Sequence, residues 1–456
     1  MKAMFKIALA ALAAVALSPF TAHAQKVNLT FLTHWSPDSV AVLEKAASAY
    51  AKDHPDVAVS IRAVPFGDLL TTLRASGGGS GGATMASIYN AWLPDLAKDK
   101  LLAPIPDAMG TEVKADWPAG IVGASSTGGA LYGFPNEIDV YALNYNKKLF
   151  EAAGIKAPPS NWDELIADAK KLSDKSKGQQ GFGMINSWTA GVIHPFGSLL
   201  ASSGGQLIAE GKPQLDSPAA KESFALYEKL VKEGLSDPTM GTANANTTGP
   251  FLDNFVSGKT GMIIMANWWE SALKAGMGDK FPDIATAPIP VGPHGDKPHS
   301  ISYSWMTVVN AKASPAEQKA AWDFLSWLNG PKSGPNGGTA MGEILLSMGI
   351  LPSRRSDAAA FADKLKDPFL KAYIDEVPNA EPFPVVLGGQ ELSESLQQHV
   401  EAVQFGKASA ADAAAAASAA LALPNCTAST CCCSDSENSC PPRTTGNGTA
   451  FGAAAI

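Results

Sequence analysis

An α/β protein built from two domains is what this sequence predicts, and three observations predict it. The chain is 456 residues long, more than one hydrophobic core ordinarily organises. Short apolar runs alternate with segments of helical spacing, as in a sheet covered by helices on both faces. Several helix starts carry a capping serine followed by proline, which places the helices independently of the strands.

Along the chain, Lys2 and Lys6 precede the apolar run from Ile7 to Leu17, and Ala22-His23-Ala24 has the small-x-small form of a signal-peptidase site. Residues 1–24 therefore read as an export leader cut after Ala24. No cysteine follows the cut, which argues against a lipid anchor. After residue 24 no run approaches the roughly 18 apolar residues of a membrane span. Val27 to Leu32 reads as a first strand, followed by a helix from about Ser39 with Val40, Leu43, Ala47 and Tyr50 at helical spacing. "DVAVSIRAVP" alternates as a strand. A helix near Phe66–Arg74, a strand near Met85–Tyr89 and a helix near Leu93–Asp99 continue the alternation, whose ligands belong at the carboxyl ends of the strands.

Later helices are set by their starts: Ser160 as N-cap before Trp162, Leu165, Ile166 and Ala169, Ser217 before Pro218, and the box Ser314 to Glu317. Loops are expected at Gly292–Pro298 and Gly330–Gly338, and a last helix over Ala408–Leu423. Beyond it the composition changes to a stretch that carries all 5 cysteines and few large apolar residues, which reads as disordered. It has no Cys-x-x-Cys pair or companion histidine of zinc spacing, so neither metal nor cofactor is expected. The formal net charge of -8 argues against nucleic acid or an anionic membrane surface as partner.

Six segments, "LTFLTHW", "FGDLLTTLRAS", "GALYGFPNEIDVYALNYNKKLFEAAGIKAPPSNWDEL", "GKTGMIIMANWW", "APIPVGP" and "LPSRRSD", resemble in order and spacing the family 1 extracellular solute-binding proteins. These are the carbohydrate-capturing subunits of ABC importers, and maltose-binding protein is a familiar member. The resemblance runs from Val27 to about Leu423. It implies a two-lobe periplasmic binding protein fold with a hinged cleft, with lobe I from 25–137 and 287–330 and lobe II from 138–286 and 331–423. The crossings between lobes would fall near Asn136–Val140, Ala285–Pro288 and Asn329–Gly338. It further implies a periplasmic, monomeric protein that passes a sugar or polyol to membrane permease subunits. One departure is "ASGGGSGGATMASIYNAW", where the family usually has a shorter turn and a Pro-Asp pair.

A pyranose needs flat aromatic walls for its C–H faces and fixed donors and acceptors for its hydroxyls. Among the 10 tryptophans, Trp162, Trp322 and Trp327 sit on helices with apolar neighbours and read as core, while Trp117 says nothing. Trp35, Trp92, Trp188, Trp268 or Trp269, and Trp305 fall at or beyond strand ends, where loops face a cleft; interlobe packing is the alternative for each. In "GMIIMANWWES" strand alternation would send one tryptophan into a core and leave the other facing outward. The family's stacking aromatic in the matching loop makes Trp268 the wall and Trp269 the wedge.

Polar candidates are Asn90, Asn136, Glu137, Asp139, Asn267, Glu270 and Arg354, which can bond adjacent hydroxyls; an interlobe salt bridge or solvated charge is the alternative. Glu137 and Asp139, two apart, share one side of a strand. His34 alone carries no inference.

Enzyme signals fail: "GKT" has Asp253 where a phosphate loop needs glycine, and Ser80 lies in a glycine run without a strand-to-helix elbow. A glycoside hydrolase using two carboxylates is the competing class, and a glycerol phosphodiester is a competing solute.

Overall fold

The computed structural model describes residues 26–76, 82–243, 249–331 and 333–421. The expected leader, most of the glycine run with Ser80, and the cysteine-bearing segment lie outside the described residues.

Two sheets organise the chain. In the first, Val27–Thr33 lies between Val57–Ala63 and Met85–Tyr89, parallel to both. Trp305–Asn310 runs antiparallel beside Met85–Tyr89 and also pairs with Leu102–Ala103 and Gly133–Pro135. The second is built on one long strand, Glu137–Asn146, flanked by antiparallel Thr260–Ala266, with Gln180–Gly183 outside that. Ile284–Ala287 pairs with the far half of the long strand. Ile301–Tyr303 and Leu351–Pro352 pair with its first residues, and Glu381–Pro382 completes that edge.

The helices form where spacing and caps agree. Pro37–Asp53 starts behind Ser36, whose hydroxyl accepts from the Ser39 amide, and buries Leu43, Ala47 and Tyr50. Pro315–Leu328 carries the complete capping box from Ser314 and Glu317 and packs on both Val27–Thr33 and Trp305–Asn310. Pro218–Lys232 begins behind Ser217 as its sequence indicates. For Trp162–Leu172 the cap is Asn161, not Ser160: the Asn161 side chain accepts from the Glu164 amide, while the Ser160 hydroxyl and amide both donate to the Glu164 carboxylate. The two final helices, Gly389–Gln404 and Ala410–Leu421, pack over Thr189–Ser202 and Pro218–Lys232 on the second lobe.

The chain passes between the sheets first at Asn136. The amide of Asn136 donates to Trp305 O in the first sheet, and its carbonyl accepts from Ser353 in the segment that follows Leu351–Pro352. The return falls at Ser304 rather than at Ala285–Pro288. Ile284–Ala287 stays within the second sheet through its register with residues 143–146, whereas Tyr303 pairs with Asp139 and Trp305 with Tyr89. After Leu328 the chain joins the second sheet only at Leu351. The intervening helix Ala340–Ser347 still packs against Pro37–Asp53 of the first lobe, so this crossing completes later than Gly338.

Candidate functional site

Tyr303 and Trp305 straddle Ser304, so their side chains leave the crossing strand on one side, one from each sheet. Around them the two lobes place most of their cleft-side aromatic residues. On the first lobe, the His34 ring lies tilted over Trp305 at 4.1 Å, with Phe66, Trp92 and Tyr89 at 5.8, 5.7 and 6.0 Å from the same indole. On the second lobe, His194 stacks on Tyr303 at 4.6 Å, and Trp268 Nε1 donates to Tyr303 Oη at 2.7 Å. Trp188 meets Trp268 edge-on at 5.8 Å.

The walls touch across the lobes. Phe66 and Trp188 meet at 6.4 Å, and Tyr89 Oη bonds His194 Nε2 at 3.0 Å while Tyr141 Oη bonds His194 Nδ1 at 2.9 Å. Burial pushes His194 down to about 3, so the ring is neutral and one nitrogen donates while the other accepts. His34 is likewise pushed down to about 3 by burial, and its Nδ1 finds no partner among the described residues. The Trp188 indole N–H is also buried without an acceptor among the described residues.

The floor is carboxylate. Glu137 and Asp139 project from one face of the long strand, 2% and 1% exposed, opposite Pro352 and Tyr303 respectively. Burial raises Glu137 well above the ordinary carboxylate range, with the neighbouring charge adding to it, and burial raises Asp139 to about 7. Asn267 reaches Asp139 Oδ1 from 3.4 Å but is chiefly a brace, accepting from the Val140 amide and donating to Gly349 O.

The structure brings Trp92, Trp188, Trp268, Trp305, Glu137 and Asp139 together and engages five other candidates in contacts of their own. Trp35 packs on Phe31 in the first-lobe core; the residue that turns to the cleft is its neighbour His34. Asn90 is bound to the crossing, its amide donating to Ser304 O and its Oδ1 accepting from Ser304 N. Asn136 donates from Nδ2 to Asn329 Oδ1 at 2.7 Å and so ties two crossings together. Arg354 is engaged elsewhere: its guanidinium bonds Asp116 at 2.9 Å and Asp357 at 3.4 Å and lies over Trp117. Glu270 is likewise paired with Lys274.

The tryptophan pair sits in a single 3-10 turn, Asn267–Trp269, beyond the strand end. Strand alternation therefore does not govern it, yet the turn separates the two rings: Trp269 is 1% exposed against Phe251, while Trp268 is half-buried. Reasoning from the sequence missed Phe66, Tyr89, Tyr141, His194 and Tyr303.

Comparison with known proteins places the fold. The sequence profile of the bacterial extracellular solute-binding proteins fits residues 35–335. A binding protein of Brucella abortus is 27% identical over 402 residues, covering 88% of this chain and 93% of its own. The maltotriose-binding protein of Pyrococcus abyssi is 23% identical, covering 74% and 67%. The GacH receptor of Streptomyces glaucescens, solved unliganded and with acarbose, superposes with TM-score 0.75 at 24% identity, covering 87% of this chain and 97% of that one. These relatives are binding proteins rather than enzymes. With most of its length matched to that profile and its fold shared, this chain belongs to the bacterial extracellular solute-binding proteins.

Proposed function

We propose that this protein captures an uncharged sugar or polyol between its two lobes and delivers it to the membrane permease of an ABC importer. The observation that carries this reading is the aromatic enclosure from both lobes over a carboxylate floor. Indole and phenol faces suit C–H patches, and carboxyl groups suit hydroxyls. A relative named for maltotriose and a structural neighbour solved in complex with acarbose support a carbohydrate. No Lys or Arg stands among the described residues of this enclosure, so a glycerol phosphodiester would meet negative charge without a counterion. A glycoside hydrolase needs its two acids about 5 Å or more apart across the scissile bond. Glu137 and Asp139 instead project from the same face of one strand rather than facing each other across the cleft, which suits binding and not bond cleavage.

Opening about the crossings admits the solute, and closing lets both walls bury it; the solute shifts the population toward the closed form because only that form makes both sets of contacts. Among the described residues no helix is long and apolar enough to cross a membrane. With the leader removed after Ala24, a soluble periplasmic monomer fits the family. Melting curves against a panel of neutral sugars, polyols and the phosphodiester sn-glycero-3-phosphocholine test the reading. A neutral member should raise the melting temperature, since a solute at 100 times its Kd adds about 2.7 kcal/mol. Stabilisation by the phosphodiester alone would refute it.

A further inference from the structure

The helix Gly389–Gln404 buries Leu392, Leu396 and Val403 in the second lobe and carries a polar stripe on the opposite face. Gln390, Glu394, Gln397 and Glu401 follow at spacings of four, three and four, hence on one side of the helix. Each glutamine gives its amide N–H to the glutamate one turn on: Gln390 Nε2 donates to Glu394 Oε1 at 2.7 Å, and Gln397 Nε2 donates to Glu401 Oε1 at 3.0 Å. A carboxylate accepts and cannot donate, so each bond fixes which way the amide points and leaves its oxygen as an acceptor. Both oxygens are used at the cleft. Gln390 Oε1 accepts from Trp92 Nε1 of the first lobe at 2.8 Å, and Asp95, just beyond Trp92, accepts from the Gly388 amide with its two oxygens at 3.1 and 3.0 Å. Gln397 Oε1 accepts from the Thr189 hydroxyl, and Glu401 Oε1 accepts from the Ser187 amide at 2.7 Å, so the stripe bonds the residues on either side of Trp188. Ser187 has a φ of 64°, a left-handed conformation that a non-glycine residue keeps only where its surroundings impose it; the Glu401 bond does so. The Trp188 ring lies back on the helical turn that follows, where a Cβ added at Gly191 would stand 2.5 Å from its Cε3. Gln390 and Gln397 are two turns apart, about 10 Å along the axis, and the two indoles flank Phe66 at 5.7 and 6.4 Å.

We propose that this stripe is a positioning element for solute binding, which holds Trp92 of the first lobe and Trp188 of the second at a set separation and presents the Trp188 N–H to an oxygen of the solute. The role of the rings rests on the sugar or polyol reading above. An indole N–H donates and cannot accept, and that of Trp188 is buried with no acceptor among the described residues, so a hydroxyl oxygen of the solute supplies the missing partner. The stripe acts through the two tryptophans and not on the solute: its bonds exist without a solute, and losing one lets a ring leave its place. Affinity then falls although every group that touches the solute is still present.

The test has two arms on the full chain. Indole N–H resonances of 15N-tryptophan-labelled, ligand-free protein, assigned with Trp92→Phe and Trp188→Phe, are recorded for wild type, Gln390→Leu and Glu401→Leu. Two restoring variants accompany them: Glu401→Gln, whose amide oxygen still accepts, and the exchange of Gln390→Glu with Glu394→Gln, which keeps one amide and one carboxylate in reversed order. Calorimetry then measures D-mannitol, D-glucose and maltose on the same proteins. Gln390→Leu should move the Trp92 resonance and Glu401→Leu that of Trp188, and each restoring variant should return the signal to its wild-type position. Affinity for the tightest of the three solutes should fall roughly three- to tenfold in both leucine variants and recover with the signal, and in wild type that solute should shift the Trp188 indole proton downfield. The proposal is overturned if the resonances stay in place in the leucine variants, if they move while affinity holds, or if bound solute leaves the Trp188 proton unmoved. Failure of all three solutes to bind wild type overturns the sugar reading; the ligand-free resonances then decide the positioning alone, sustained by movement with restoration and overturned without it.

Discussion

Replacing each tryptophan of the Trp268–Trp269 turn by alanine separates the binding wall from its support. Trp269 is 1% exposed and wedged against Phe251 at 5.1 Å, Trp268 at 4.4 Å and Trp188 at 6.2 Å. Its removal opens a cavity that the surrounding strand and helix cannot fill, at a cost of roughly 3 to 5 kcal/mol and several degrees of melting temperature. Trp268 is half-buried and anchored by its N–H on Tyr303. Trp268→Ala should weaken binding by about 2 kcal/mol or more, combining lost apolar area with the aromatic contribution of roughly 0.5 to 1.5 kcal/mol. That is near thirtyfold in Kd. Because the two rings touch, Trp269→Ala also loosens Trp268 and should lower affinity slightly, a coupling that the double mutant measures. Calorimetry with the best neutral solute and melting curves on all three variants decide it. The reasoning is refuted if Trp269→Ala loses the affinity while Trp268→Ala loses only stability.

Two further predictions rest on other contacts. Arg354→Ala strands Asp357 and Asp116 without their shared cation at a site where the arginine is 11% exposed; it should cost roughly 3 kcal/mol of stability and leave solute affinity unchanged, and a loss of affinity at unchanged melting temperature would restore Arg354 to the site. Glu376 accepts from the Ile289 amide through Oε1, its Oε2 is buried without a partner, and burial raises it from 4.5 to about 7. Its folded-state proton stabilises fully below pH 4.5 and is lost as pH rises through 7, so the melting temperature of wild type should fall more steeply than that of Glu376→Gln between pH 5 and pH 7.5; equal slopes would contradict this.

Local signals in the sequence read well and long-range ones did not. The capping box at Ser314–Glu317 and the Ser217–Pro218 start stand as written because a cap is made within four residues. The same locality explains the exchange at Ser160, where two neighbouring polar residues compete for one cap and Asn161 wins. Which sheet takes Ile284–Ala287 depends on its register with residues 143–146, so the crossing expected at Ala285–Pro288 could not be moved to Ser304 from the sequence. At the cleft the structure gathers the strand-end tryptophans other than Trp35, whereas the amides bond elsewhere. Asn90, Asn136 and Asn267 hold backbone at the crossings, a task invisible before the crossings are known. His34 and Trp35 show the finest limit: one residue of register at the end of Val27–Thr33 decides which ring enters the core.

The most direct measurement is a crystal structure of the protein with the neutral solute that stabilises it most in the panel. The account predicts that solute enclosed by both lobes, with a C–H face against Trp268 and hydroxyls within hydrogen-bond distance of Asp139 and Glu137. A solute bound outside the enclosure, or one inside it whose hydroxyls bypass both carboxyl groups, would contradict it.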